Sequence, residues 1–182
     1  AATEAETQTI ASLLKDSMLA GAFGFTTTNA GQHVGYQGRP LACRLADNKE
    51  LLAYCEVLKE LNRGTIEVAL TNDVSRVSAS ERELLDLLLT ASGRPVTWLA
   101  LLNRDDDEHA TQNTLTEVSD LIARGGIPQS TCRPFIIQID LRTPFIFANM
   151  ECWNPVLNRD VAEQKKILQS DNFRTAFKEA LK

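Results

Sequence analysis

A chain of 182 residues with 43% hydrophobic and 24% charged side chains has the composition of one globular domain, or of one with an appendage, and excludes disorder and collagen-like sequence. Nineteen basic and 24 acidic residues leave a net charge of −5, and without a basic stripe interleaved with aromatics there is no nucleic-acid footprint. No apolar run reaches the ~18 residues of a membrane span, and the first 20 residues, with Thr3, Glu4, Glu6 and Asp16, lack the basic and apolar regions of a secretory signal.

In chain order, Thr3-Glu4-Ala5-Glu6 reads as a capping box that opens a helix. Ile10, Leu13, Leu14 and Met18 recur at helical spacing as its buried stripe, and Gly21 suits its end. Ala22 to Thr28 is rich in aromatic and β-branched residues and reads as a strand. Asn29 to Ala46, with three glycines and Pro40, is a long loop of the kind that often carries function. Asp47 to Glu50 is a second capping-box pattern and starts a helix with Leu51, Cys55, Leu58 and Leu61 inward and Gly64 as its close. Thr65 to Leu70 is a strand. Ser78 to Glu81 caps a third helix that buries Leu84, Leu85, Leu88 and Leu89 and ends at Gly93.

Pro95 to Leu102 is apolar on both parities, as a strand buried on two faces should be. A helix from His109 to Arg124 uses Leu115, Val118, Leu121 and Ile122, with Gly125 as its stop. Ile127 to Cys132 is a short strand. Residues 134–159 form an irregular apolar loop region, and residues 160–182 form terminal helices: one from Val161 to Leu168, and one capped by Asp171 that sets Phe173 and Phe177 on a single face. The acidic run Asp105 to Glu108 reads as a solvated loop or first helical turn, with a cation site as the alternative.

Strands that begin near residues 22, 65, 95 and 126 define parallel βα repeats with right-handed crossovers. No glycine-rich phosphate turn of the doubly wound type occurs. A whole (β/α)8 barrel needs roughly 200–250 residues, whereas four strands are present here, five if part of 135–147 pairs. The expected fold is therefore α/β: a partial TIM barrel in which residues 1–182 make one segment. Parity supports a barrel wall, since Ile66, Val68 and Leu70 suit helix packing while Thr65, Glu67 and Ala69 suit an interior. Glu67 is the charged residue on that inward parity, unless the strand lies near an edge and leaves it in water.

The cysteines, Cys43, Cys55, Cys132 and Cys152, form no Cys-x-x-Cys pair. They suit reduced thiols in a cytoplasmic protein. His33 and His109 lack the spacing of a metal motif.

Gly24-Phe25-Thr26-Thr27-Thr28, Gly38-Arg39-Pro40-Leu41, Ala46-Asp47, Glu50-Leu51-Leu52-Ala53, Gly64-Thr65-Ile66-Glu67-Val68, Gly93-Arg94-Pro95-Val96-Thr97, Leu101-Leu102-Asn103, Arg133-Pro134 and Asp171-Asn172-Phe173-Arg174 occur in that order. Together they resemble the central part of the amidohydrolase superfamily, in its N-acyl-D-amino-acid deacylase (D-aminoacylase) branch. The resemblance implies a distorted barrel and a divalent metal, zinc, at the C-terminal strand ends. It also implies hydrolysis of the C–N bond of a small N-acyl amino acid or related molecule. In such chemistry a metal activates water and a carboxylate moves the proton.

The family's His-x-His and late aspartate motifs are absent, and neither Leu101-Leu102-Asn103 nor Gln129 to Cys132 holds a histidine. No metal ligand or catalytic residue is carried over. The expected chain is an inactive piece of a hydrolase that self-associates through open strand edges. One alternative is a non-catalytic binding or oligomerisation module with residues 134–153 as its interface. Another is an unrelated open α/β enzyme that binds a phosphate or acyl group.

Barrel sites lie at the C-terminal strand ends. The candidates for substrate binding are accordingly Asn29, His33, Glu67, Asn103, Arg104 and Arg133, with Thr28, Asn72, Asp73 and Cys132 beside them. His33 is a ligand or proton shuttle, or an exposed loop histidine. Asn103-Arg104 orients a carboxylate, or caps a helix. Cys132 reads as a buried thiol, with a pKa lowered by Arg133 as the alternative. Arg133 contacts substrate, or holds the loop that follows it.

Overall fold

Local capping sets the helix starts in the computed structural model, which describes residues 1–70, 74–134, 136–142 and 144–182. Thr3 and Glu6 close a reciprocal capping box on α1 (Glu4–Leu19). Asp47 accepts from Glu50 N at the start of α2 (Asn48–Leu61), but the expected box there is only half made, because the Glu50 carboxylate turns to Ala2 N and the Tyr54 hydroxyl instead. Ser78 and Glu81 form a second box on α3 (Ala79–Ser92), which ends on Gly93 in the left-handed region at φ 60°. Each box satisfies two backbone donors that the first helical turn leaves unpaired. The close of α2 differs from expectation: Asn62, at φ 48°, is the left-handed cap, and Gly64 follows it.

Four strands, β1 (Gly24–Thr28), β2 (Thr65–Ala69), β3 (Val96–Leu101) and β4 (Gly126–Ser130), form one sheet in the order β1-β2-β3-β4. Every pairing is parallel. The fold class is thus α/β, with parallel βα repeats. A parallel sheet that follows chain order with crossovers of one hand sends its helices to one face. The core shows this arrangement: Ile66, Val68, Leu70, Val96 and Trp98 pack with Met18, Leu58, Leu85, Leu88 and Leu121. Among the described residues of 136–147 no fifth strand forms.

The expected helix 109–124 breaks at Val118 into α4 (Ala110–Glu117) and α5 (Ser119–Ala123). The inward face of α1 also differs from the apolar spacing. Thr7, Ala11 and Met18 are buried and Leu14 is partly so, whereas Ile10 and Leu13 lie exposed. Small side chains turn inward where α1 meets α2, its main neighbour.

On β4, Pro128 occupies the border of the sheet. Val96 N donates to Gly125 O at 3.2 Å, so by alternation Pro128 faces the free side, where its missing N–H removes nothing from the ladder.

The chain divides into two compact units, Ala1–Ala30 with Ala42–Phe135, and Gly31–Leu41 with Ile136–Lys182. The sheet and α1–α5 belong to the first. The second holds α6 (Val161–Leu168) and α7 (Asp171–Ala180) around Trp153, Val156 and Phe173. Trp153 stacks on Phe147 at 5.6 Å and meets Phe173 edge-on at 5.0 Å. The apolar loop thus supplies part of this unit's core, although Ile136, Leu141 and Ile146 stay exposed. Asp171 is the first residue of α7, and the cap is Ser170, whose hydroxyl accepts from Phe173 N at 3.3 Å. No helix of the described residues is long and apolar enough to cross a membrane.

Candidate functional site at the strand ends

The C-terminal ends of the strands are tied together by polar groups. Thr28 Oγ1 accepts from Ala30 N at 3.1 Å, and Asn29 N donates to Ala69 O at 2.8 Å. Asn29 therefore extends the β1–β2 ladder with its backbone and leaves its side chain exposed.

Beyond β3, Ser75 is the organising residue. Its buried hydroxyl donates to Leu102 O and accepts from Leu102 N at 2.6 Å. Its carbonyl accepts from Thr114 Oγ1 at 2.6 Å, and its N–H donates to Ala100 O at 3.1 Å. The loop 102–105 leaves the sheet in a direction set by this staple.

Leu102, Asn103, Asp105, Ser130, Thr131, Cys132, Arg133 and Pro134 line a cavity of about 680 Å³ at the ends of β3 and β4. That volume lies in the range of small-ligand sites, roughly 300–1,000 Å³. Of the six candidates, Asn103 and Arg133 line it. Arg104 does not: its Nε and Nη2 donate to Asp106 Oδ1 and Oδ2 at 2.8 and 2.7 Å, and its Nη1 donates to Val74 O at 2.9 Å. The guanidinium grips its own loop, and its hydrogen bonds hold the Asp106 carboxyl below the usual range. Asp107 is likewise lowered by its bond to Arg76. The acidic run is in this part a set of loop ties.

Glu67 lies half-buried on the sheet face opposite the helices. Gln129 Nε2 donates to Glu67 Oε1 at 3.3 Å and to Thr97 Oγ1 at 3.0 Å. Thr26 is Glu67's neighbour on β1, so a polar row of Thr26, Glu67, Thr97 and Gln129 crosses all four strands. His33 belongs to the second unit, where its ring lies 5.7 Å from that of Phe145. Asn72 and Asp73 fall outside the described residues. Cys132, expected to be buried, is exposed, because β4 ends at Ser130 and leaves the following residues in a surface loop.

Among the described residues no three His, Cys, Asp or Glu side chains converge as metal ligands. The donors at the β3 and β4 ends, Asn103, Asp105 and Cys132 beside a guanidinium, do not fit the nitrogen- and carboxylate-rich set of a catalytic zinc. Ser75 and Gln129 were not legible as site residues. A serine in the left-handed region, φ 59°, and a glutamine that spans two strands leave no sequence pattern.

No protein-family model, curated protein or solved structure matches the chain.

Proposed function

We propose that the chain is a wall of an amidohydrolase-like (β/α)8 hydrolase of C–N bonds, with N-acyl amino acids or related small molecules as substrates. In this reading the segment supplies binding groups at the strand ends and no metal ligand, and it is inactive by itself. The supporting observation is the unreversed parallel order β1-β2-β3-β4, with apolar residues toward the helices and Thr26, Glu67, Thr97 and Gln129 on the other face. A barrel wall alternates in this way, one parity of each strand toward the helices and the other toward the interior. The four cysteines are free thiols, in keeping with a reducing, cytoplasmic setting.

The test has two parts. N-acetyl-D-amino acids are added to the ¹⁵N-labelled chain and amide shifts are mapped; shifts at Asn103, Ser130 and Arg133 are expected, and shifts confined to other regions overturn the reading. Amine release is then assayed with zinc present. None is expected, and turnover that a chelator abolishes overturns the assigned inactivity.

A second reading, a self-associating binding module, is supported by the exposed Leu13, Leu19 and Phe23, the last 93% accessible. Large exposed apolar groups of this kind favour association. Sedimentation that gives a monomer at high concentration counts against it.

A further inference from the structure

The cavity at the β3 and β4 ends holds two opposite charges that are not spent on each other. Among the described residues, Arg76, Arg82, Arg104, Arg124 and Arg142 each pair with an aspartate. Arg133 pairs with none, although it lines the same cavity as Asp105. Among the described residues Asp105 is equally without an ion pair, while Asp106 and Asp107 beside it are engaged by Arg104 and Arg76. The two groups come from different loops, Asp105 after β3 and Arg133 after β4. Asn103, Ser130 and Thr131 supply neutral hydrogen-bonding groups between those loops.

The geometry points to a site for a zwitterion: a free α-amino acid with its carboxylate on Arg133 and its ammonium on Asp105. A guanidinium matches a carboxylate with two parallel N–H donors. A carboxylate accepts from an ammonium, which an N-acyl amino acid lacks. This inference rests on the cavity being the binding site of the proposed hydrolase, and it names the ligand class held there. Hydrolysis of an N-acyl amino acid breaks the amide C–N bond, sends the water oxygen to the acyl carbon and leaves the nitrogen to take up protons. The ammonium exists only after that step, so the cavity favours the released amino acid over its acylated precursor.

Three probes separate the charges: D-alanine carries both, N-acetyl-D-alanine only the anion, and D-alaninamide only the cation. Each is titrated into the ¹⁵N-labelled full chain, and amides of residues 103–105 and 130–133 are followed. D-alanine is expected to bind about three- to five-fold more tightly than either single-charge probe, the size of a partly solvated ion pair. Asp105→Asn is expected to bring D-alanine to the affinity of N-acetyl-D-alanine and to leave the latter unchanged. Arg133→Gln is expected to weaken both. Both side chains are exposed, and an unchanged spectrum elsewhere confirms that each variant folds. Equal binding of D-alanine and N-acetyl-D-alanine, insensitive to Asp105→Asn, overturns the zwitterion site but leaves the cavity as the binding site. Shifts by none of the three probes overturn both.

Discussion

Ser75 holds Leu102 by both of its main-chain groups: one hydroxyl donates to the carbonyl and accepts from the amide of the same residue. The two lie 27 positions apart, and the contact joins the stretch after β2 to the end of β3. Because the cavity begins at Leu102, the staple decides where its first wall stands.

Ser75→Ala is expected to destabilise the chain by about 1–2 kcal/mol, since it strands the partly buried Leu102 N–H, while Leu102 O keeps its bond from Thr111 Oγ1 at 3.2 Å. Urea unfolding measures the cost. Hydrogen exchange at the Leu102 amide should accelerate beyond the global change, and a substitution that leaves both untouched would show that the staple is not formed in solution.

Gly24 admits no side chain. A Cβ there would lie 1.7 Å from Thr65 O, and the backbone has φ +154°. Gly24→Ala should cost on the order of 2–4 kcal/mol through separation of β1 from β2. Gly93→Asn should cost under about 1 kcal/mol, because that cap is open within 4 Å and asparagine tolerates the left-handed region. Equal melting temperatures for the two variants would refute this contrast.

Alkali should unfold the first unit before it affects the arginine pairs. Burial raises the Cys55 thiol from 9.0 to about 12. Burial, with the hydrogen bond and charge of Glu50, raises the Tyr54 hydroxyl from 10.0 to about 12. Between about pH 9 and 12 the unfolded chain binds fewer protons than the folded one, so the free energy of unfolding falls as pH rises. Stability from these groups is complete below that window and lost through it. Urea midpoints across the window should decline, and Tyr54→Phe should flatten the decline.

Thiol reagents should rank the cysteines by access and charge state. Cys43 and Cys132 are exposed, Cys152 is intermediate, and Cys55 is fully buried with a raised pKa. Two rapid modifications, one slower and one that waits for unfolding are expected. Ligand in the cavity should slow Cys132 alone among the rapid pair, as read by mass spectrometry of labelled peptides.

Elements governed by neighbours along the chain were legible from sequence: the capping box of Thr3 and Glu6, the caps at Asp47 and Ser78, the strand alternation of Thr65 to Ala69 and the helix Val161–Leu168. What depends on distant partners was not. Hydropathy prefers Ile10 and Leu13 to Thr7 and Ala11, but the approach of α2 turns the small residues of α1 inward. The rule that barrel sites sit at strand ends picks out Asn103 and Arg133, which line one cavity. It could not see that Arg104 is occupied by a carboxylate two residues away, nor that His33 joins the other unit.

Pro128 makes the two borders of the sheet chemically unequal. β1 contains no proline, while the middle of the β4 border can accept but not donate. A strand added on the β4 side therefore lacks one ladder bond at its centre, which makes that border the weaker template for edge-to-edge association.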